Sequence, residues 1–128
     1  MQASNIITWF EIPVTDMDRA IKFYETVFGY SLSRNTMGTL DMAWFPGDQE
    51  GTAVSGSLVC FPDFYKPSHD GSLMYFSSPS GDLENELSKV VAAGGTIMQP
   101  KKLIAEGIGY MGLFTDTEGN RLAMHSPN

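Results

Sequence analysis

The hydrophobic pattern is sharpest near the start of the chain, where it predicts a strand. Phe10, Ile12 and Val14 are apolar and are separated from one another by single residues. This period of two sends neighbouring side chains to opposite faces of a sheet. Trp9 and Glu11 then lie on the face opposite the apolar one. We expect the apolar face to pack under a helix and the other face to line a cleft.

A helix should follow this strand directly. Apolar residues recur there at helical spacing, at Met17, Ala20, Ile21, Tyr24, Val27 and Phe28. Thr15 or Asp16 can accept hydrogen bonds from the first free amides of the helix. Gly29 can take the left-handed conformation with which helices commonly end. The pattern therefore predicts a capped helix over residues 17–28.

The same pattern occurs a second time later in the chain. Strands are predicted at 30–34, 41–45 and 53–59, with a turn at 46–48 and 51 between the last two. After a connecting loop at 61–71, further strands are predicted at 72–77, 96–99, 109–115 and 120–125. Leu83, Leu87, Val90 and Val91 form a second helical stripe, ended by Gly94 and Gly95. Two copies of a β-α-β-β-β unit explain this order.

The two units predict an α+β fold in a single domain over residues 1–128. Module one covers about 5–60 and module two about 72–126. Placed side by side, the modules should form a curved, cup-like mixed sheet with the helices outside and a cleft inside. The residues predicted to line this cleft face away from the helices; they are Trp9, Glu11, Ser55, Ser57, Tyr75, Ser77, Ala123 and His125.

Composition narrows the possible partners. The formal net charge of −7 argues against nucleic acid or an anionic membrane surface as a partner. A single cysteine, Cys60, excludes an internal disulfide and suits a reducing compartment. No apolar run is long enough to span a bilayer, and the first residues do not resemble a signal peptide. We therefore expect a cytoplasmic location.

Three segments carry a resemblance to a known family: 12–16 followed by 20–24 and 28–29, the second helix with 93–95, and the stretch 116–121. They resemble the vicinal oxygen chelate superfamily, which includes glyoxalase I, bleomycin-resistance proteins, fosfomycin-resistance enzymes and extradiol dioxygenases. The chain is also similar to a bacterial group of glyoxalase-like proteins. The resemblance implies paired β-α-β-β-β modules around a cup, commonly in a homodimer. Because this fold hosts lyases, dioxygenases, transferases and binding proteins, it leaves the function open.

The resemblance also implies four positions for a metal ligand in the cup. In this chain they hold Trp9, Ser55 or a near neighbour, Tyr75 with Met74 as the alternative register, and Ala123. An indole nitrogen only donates hydrogen bonds, and alanine has no donor atom for a metal. We therefore predict no metal and no other cofactor, with a divalent metal as the alternative.

Glu11 and His125 lie two residues beyond the first and last of these positions, on the same inward face. They are the candidate catalytic residues, as an acid and base pair or as ligands of a divalent metal. A zinc or iron site needs about three protein ligands, and no third one projects there from the pattern. The simpler interpretation is that Glu11 accepts hydrogen bonds from strand groups or from Arg121, and that His125 is half exposed.

The leading hypothesis is a glyoxalase/bleomycin-resistance-like protein that binds a small, partly aromatic or apolar molecule in the cleft between the modules, without a metal. The residues predicted to bind this molecule are Trp9, Glu11, Ser57, Tyr75 and His125. The alternative is a glyoxalase-type lyase or dioxygenase-like enzyme, which would use Glu11 and His125. A third hypothesis is an interaction module whose cup is filled by side chains.

Residues 107–112 match the G-x-G-x-x-G string of dinucleotide-binding proteins. That motif requires a helix directly after the glycines, because the helix N-terminus binds the pyrophosphate. The residues that follow here alternate like a strand. We therefore reject a dinucleotide site.

Overall fold

The computed structural model describes residues 5–47 and 53–128. The elements, in chain order, are β1 Trp9–Pro13, α1 Met17–Phe28, β2 Ser33–Met37, β3 Leu40–Trp44, β4 Ser55–Cys60, β5 Tyr75–Ser77, α2 Glu84–Leu87, β6 Thr96–Ala105, β7 Gly109–Thr115 and β8 Arg121–Ser126. A strand, a helix and three strands thus occur twice. This order confirms the predicted α+β fold of two tandem β-α-β-β-β modules. Of the turn predicted at 46–48 and 51, residues 48 and 51 lie outside the described residues.

The helix α1 begins and ends at the predicted residues. The Asp16 side chain accepts a hydrogen bond from the Arg19 amide at 3.1 Å, and Gly29 has a φ of 77°. These two caps satisfy backbone groups that an α-helix leaves free at its ends. The buried side chains of α1 are Met17, Ala20, Phe23, Tyr24, Val27 and Phe28.

The two modules form sheets of the same topology. The strand orders are β1-β4-β3-β2 and β5-β8-β7-β6. In each sheet the first and last strands of the module are parallel, and the other pairs are antiparallel. Trp9 pairs with Ser55 in one sheet, and Tyr75 pairs with Ala123 in the other. The equivalent register shows the internal repeat that the spacing predicted.

Several elements depart from their predicted bounds. The strand predicted at 30–34 lies at Ser33–Met37, and that predicted at 72–77 covers only Tyr75–Ser77. The helix α2 covers only Glu84–Leu87, and turns carry the chain on to Gly94. Val90 is buried as predicted, whereas Val91 is 62% exposed because the helical stripe does not continue that far. The edge strand β6 runs past the predicted 96–99 to Ala105, with register irregularities that accommodate Pro100.

No helix among residues 5–47 and 53–128 is long and apolar enough to cross a membrane.

One hydrophobic core runs through both modules. Phe23 of α1 stacks on Phe114 of β7, with ring centroids 6.0 Å apart. Tyr24 of α1 stacks in the same way on Phe76 of β5, at 5.8 Å. Burial of aromatic rings contributes strongly to stability. The apolar surface of α1 is therefore covered by its own sheet and by module two together.

The turn between β7 and β8 connects module two to the start of α1. Glu118 lies in this turn beside Gly119, whose φ of 92° confirms the tight turn predicted there. The Oε1 atom of Glu118 accepts hydrogen bonds from the amides of Thr15 and Asp16, at 2.8 and 2.9 Å. Arg19 donates from Nε to Oε2 at 2.7 Å. The Glu118 side chain is fully buried, while that of Arg19 is half exposed.

Asp116 makes a second connection between the modules from the same turn. It accepts hydrogen bonds from the Tyr24 hydroxyl at 2.7 Å and from the amides of Glu118 and Asn120. Asn120 donates from Nδ2 to the Pro13 carbonyl at 2.8 Å. Burial, reinforced by the Asp116 carboxylate, raises the pKa of Tyr24 well above its usual value. We call residues 116–120 the clamp hairpin, because their side chains join module two to module one.

The Glu118 carboxylate makes stability dependent on pH. Burial would raise its pKa, but the hydrogen bonds from Arg19 and from the amides of Asp16 and Thr15 outweigh burial and lower that pKa to about 2, from an ordinary 4.5. Its contribution to stability is therefore complete above about pH 5 and is lost as the pH falls toward 2. We expect the free energy of unfolding to decrease by about 2 to 3 kcal/mol from this group over that range.

Urea denaturation at a series of pH values measures this decrease. Glu118→Gln is the matched control, because glutamine cannot titrate in this range. Between about pH 5 and pH 2, the free energy of unfolding should fall more steeply with decreasing pH in the wild-type protein than in Glu118→Gln. Equal slopes would show that Glu118 has a normal pKa in the folded state.

Candidate functional site

A pocket of about 480 Å³ lies where the edge strands of the two sheets, β1 and β5, approach each other. Module one contributes β1, the end of β3 and the start of β4, and module two contributes β5 and the residues before it. The lining residues are Ile7, Phe10, Tyr30, Phe45, Pro46, Val54, Ser55, Leu73, Met74, Tyr75, Phe76 and Ser77. We call this the inter-module pocket.

Aromatic rings make up much of the wall of the inter-module pocket. Phe10, Phe45 and Phe76 contact one another, with centroids between 5.6 and 5.9 Å apart. Tyr30 packs edge-on against Phe45, and burial is the main cause that raises the pKa of its hydroxyl. Such flat apolar walls suit an aromatic or apolar ligand.

Few polar groups reach the inter-module pocket. The Ser55 hydroxyl donates to the carbonyl of Phe45 at 3.0 Å, so its proton is already engaged. Tyr75 and Ser77 are exposed at the rim, on either side of the buried Phe76. Polar contacts to a ligand would therefore come mainly from the rim.

Trp9 and Ser57, two of the predicted binding residues, do not line this pocket. The indole of Trp9 packs edge-on against Trp44, with centroids 5.4 Å apart, and is 39% exposed. Ser57 is fully buried, and its Oγ has no hydrogen-bond partner among residues 5–47 and 53–128. It pairs with Glu11 on β1 and with Trp44 on β3. Their role in ligand binding stays a prediction.

Glu11 lies in a second pocket of about 220 Å³, under the connecting loop. It accepts a hydrogen bond from the Tyr65 hydroxyl at 2.7 Å. The simpler interpretation of the sequence names a strand group or Arg121 as the donor, and the sequence pattern gives no signal for Tyr65. The connecting loop therefore covers part of the face that was predicted to line the cleft.

His125 lies at the far end of β8. Its Nε2 is 2.6 Å from the Ile108 carbonyl, which can only accept a hydrogen bond. This contact assigns the proton of a neutral ring to Nε2 and leaves Nδ1 as the acceptor. Glu11 shares its pocket with Arg121, the first residue of β8. His125 lies four residues, or about 13 Å, beyond Arg121 along this strand. The structure thus does not bring these two candidate catalytic residues together.

The predicted metal positions can be located by register. Trp9 pairs with Ser55 and Tyr75 with Ala123, so Tyr75 rather than Met74 occupies the third position. Indole, hydroxyl, phenol and methyl groups do not form a divalent-metal site. In the parts of the chain that the structure describes, no group of three or more His, Cys, Asp and Glu side chains is placed to hold a metal ion. The residues at these positions therefore do not fit the metal of metal-dependent relatives.

The glycine-rich string leads into a strand. Gly109 begins β7, which runs to Thr115, so no helix N-terminus follows the glycines. This confirms the rejection of a dinucleotide site. Gly109 is needed for packing, because a Cβ at this residue would lie 2.4 Å from the Ser126 carbonyl oxygen.

Residues 6–124 match the family model described as Glyoxalase/Bleomycin resistance protein/Dioxygenase superfamily. The chain belongs to this superfamily. The match covers both modules and the clamp hairpin, and it confirms the resemblance inferred from the sequence. A search of curated proteins finds no match.

Solved structures of the superfamily share the fold at low identity. A glyoxalase/bleomycin resistance protein from Albidiferax ferrireducens is 15% identical, with 97% of this chain and 100% of that chain covered and a TM-score of 0.74. A glyoxalase I variant from Zea mays is 20% identical, with 93% of this chain and 46% of that chain covered and a TM-score of 0.73. TnmS3, an antibiotic binding protein from a Streptomyces species, is 21% identical over the whole of both chains, with a TM-score of 0.65.

Proposed function

We propose that this superfamily member binds a small, largely apolar and partly aromatic molecule in the inter-module pocket, without a metal. The observation that carries the proposal is the wall formed by Phe10, Phe45 and Phe76 around a space of about 480 Å³. A space of this size accommodates a drug-sized molecule. Apolar walls with a few polar groups at the rim are typical of small-molecule sites.

Binding agrees with the chemistry of the site better than catalysis does. General acid–base catalysis needs both groups within hydrogen-bond reach of one substrate. Glu11 and His125 lie at separate places, and each is hydrogen-bonded to a group of the protein. The fold is also that of TnmS3, which is described as an antibiotic binding protein. This likeness supports a binding role and leaves the ligand open.

Titration with the neutral fluorophore N-phenyl-1-naphthylamine tests the proposal. We expect saturable binding with increased fluorescence, and unchanged affinity after treatment with a chelator. Tyr75→Ala should weaken binding about fivefold, because it removes a ring from the pocket rim. Tyr75 is 53% exposed, so the substitution should leave the fold intact.

Phe64→Ala is the matched control, since it removes an aromatic ring that is 80% exposed and lies away from the pocket. It should leave the affinity unchanged. An equal loss of affinity for the fluorophore in Tyr75→Ala and Phe64→Ala would indicate nonspecific surface binding. A complete lack of saturable binding by the wild-type protein would contradict the proposal.

A further inference from the structure

The second pocket, of about 220 Å³, lies at the start of β8 and has a different chemistry from the inter-module pocket. It is bounded by β1, the connecting loop and the clamp hairpin. Its lining residues are Glu11, Ile12, Pro13, Lys66, Ser68, Gly71, Ser72, Met74, Asn120, Arg121 and Leu122. Only Met74 also lines the inter-module pocket.

Arg121 is a partly buried cation in the lining of this pocket. Its Nε is buried and has no hydrogen-bond partner among the residues that the structure describes. Within residues 5–47 and 53–128, the guanidinium takes part in no ion pair. A buried charged donor that lacks an acceptor is unfavourable, so native proteins satisfy such groups with protein atoms, water or a ligand. The guanidinium is also suited to bind two oxygens of a carboxylate or phosphate side by side.

The charges around Arg121 favour an anion. Lys66 is a second cation in the lining; within the described part of the chain, its ammonium group donates only to the uncharged Pro62 carbonyl, at 3.2 Å. The lining contains one carboxylate, that of Glu11, which already accepts the hydrogen bond from Tyr65. The lining residues therefore carry one excess positive charge, in a chain whose formal net charge is −7.

We propose that this pocket is a binding site for a small oxyanion, with Arg121 as its main ligand. Lys66 adds charge at the open side, and the exposed Ser72 can donate from its hydroxyl. The expected ligand group has two or three oxygens and one net negative charge, as a carboxylate or a monovalent phosphate does. The site is separate from the inter-module pocket, so it does not depend on the function proposed above.

Thermal unfolding with added acetate, phosphate or chloride at equal ionic strength and pH tests this site. We expect acetate, phosphate or both to raise the Tm by about 4 °C at ten times the Kd and further with the logarithm of the concentration above it, whereas chloride should not. A response to acetate alone identifies a carboxylate ligand, and a response to phosphate alone identifies a phosphate. Arg121→Gln should abolish this anion-specific rise.

Lys102→Gln is the matched control, because it removes one positive charge from an exposed position on β6. It should retain the full rise in Tm. Lys66 is also exposed, so Lys66→Gln should fold normally and weaken anion binding about threefold. Glu11→Gln should strengthen it, since a like charge is removed from the pocket.

Two results would overturn the proposal. The first is a wild-type Tm that responds to acetate and phosphate no more than to chloride. The second is an equal anion-specific rise in Tm in the wild-type protein, Arg121→Gln and Lys66→Gln. A merely structural Arg121 would change the Tm without added anion and leave the anion-dependent rise intact.

Discussion

Replacing Glu118 with alanine should lower the free energy of unfolding by about 3 kcal/mol. The substitution removes the acceptor of the Thr15 and Asp16 amides and leaves Arg19 without its carboxylate partner. The Glu118 side chain is fully buried, so its truncation removes these hydrogen bonds together and leaves a cavity between the modules. Because these contacts join module two to the start of α1, the loss should affect the whole domain. Urea denaturation at neutral pH measures it.

Asp18→Ala provides the comparison for Glu118→Ala. Asp18 also pairs with an arginine, Arg34, at 2.9 Å, but its side chain is 88% exposed. Exposed ion pairs contribute little, so this variant should lose less than about 1 kcal/mol. If both variants lost the same small amount, the clamp hairpin would be no more than a surface contact.

Gly56→Ala should be similarly destabilising, by about 3 kcal/mol, for a steric reason. Gly56 lies on β4 opposite Phe10 of the parallel strand β1. A Cβ at this position would stand 2.3 Å from the Phe10 carbonyl oxygen and 2.5 Å from its ring. Since the closest atom belongs to the backbone, a change of side-chain rotamer cannot relieve the clash. The two strands would have to separate, and the Phe10 ring would shift in the inter-module pocket.

Gly47→Ala separates this clash from the general effect of replacing glycine. The nearest atom to its added Cβ would be the Ser55 Cβ, at an ordinary 3.8 Å. Gly47→Ala should therefore change the Tm by no more than about 2 °C, whereas Gly56→Ala should lower it by about 10 °C. Nearly equal melting temperatures would show that β1 and β4 can move apart at little cost.

The sequence was sufficient for β1 and α1 because their signals are local. Asp16 and Gly29 mark the ends of α1 through their own conformational preferences, and the apolar stripe between them identifies the buried face. Before the second helix the N-cap position holds Leu83, whose side chain cannot accept a hydrogen bond, and Asp82 accepts from the Glu84 amide at 3.0 Å instead. The pattern of buried leucines in this helix predicted which side is buried but not where the helix ends.

The candidate site was less predictable because it depends on how the modules meet. Alternation along β1 placed Glu11 on the face away from α1, but not in contact with Tyr65 of the connecting loop. Of the aromatic residues that line the inter-module pocket, Tyr75 was predicted, whereas Phe10, Tyr30, Phe45 and Phe76 were not. Phe10 and Phe45 lie on the helix-facing side, which the pattern assigned to the core, and they line a pocket only where this core reaches the module boundary. The connecting loop has no hydrophobic periodicity, so its sequence did not predict the contact between Tyr65 and Glu11.

The core shared by α1, Phe76 and Phe114 has a consequence for how a duplicated fold can arise. A single module of about 60 residues would leave the rings of Phe23 and Tyr24 in contact with water on one side. Chains of that size retain little stability when part of their apolar surface stays uncovered. A half-length ancestor would gain stability by pairing with a second copy, which would cover these rings. The inter-module pocket would then descend from a subunit interface, and fusion of the two copies would have allowed its two walls to diverge.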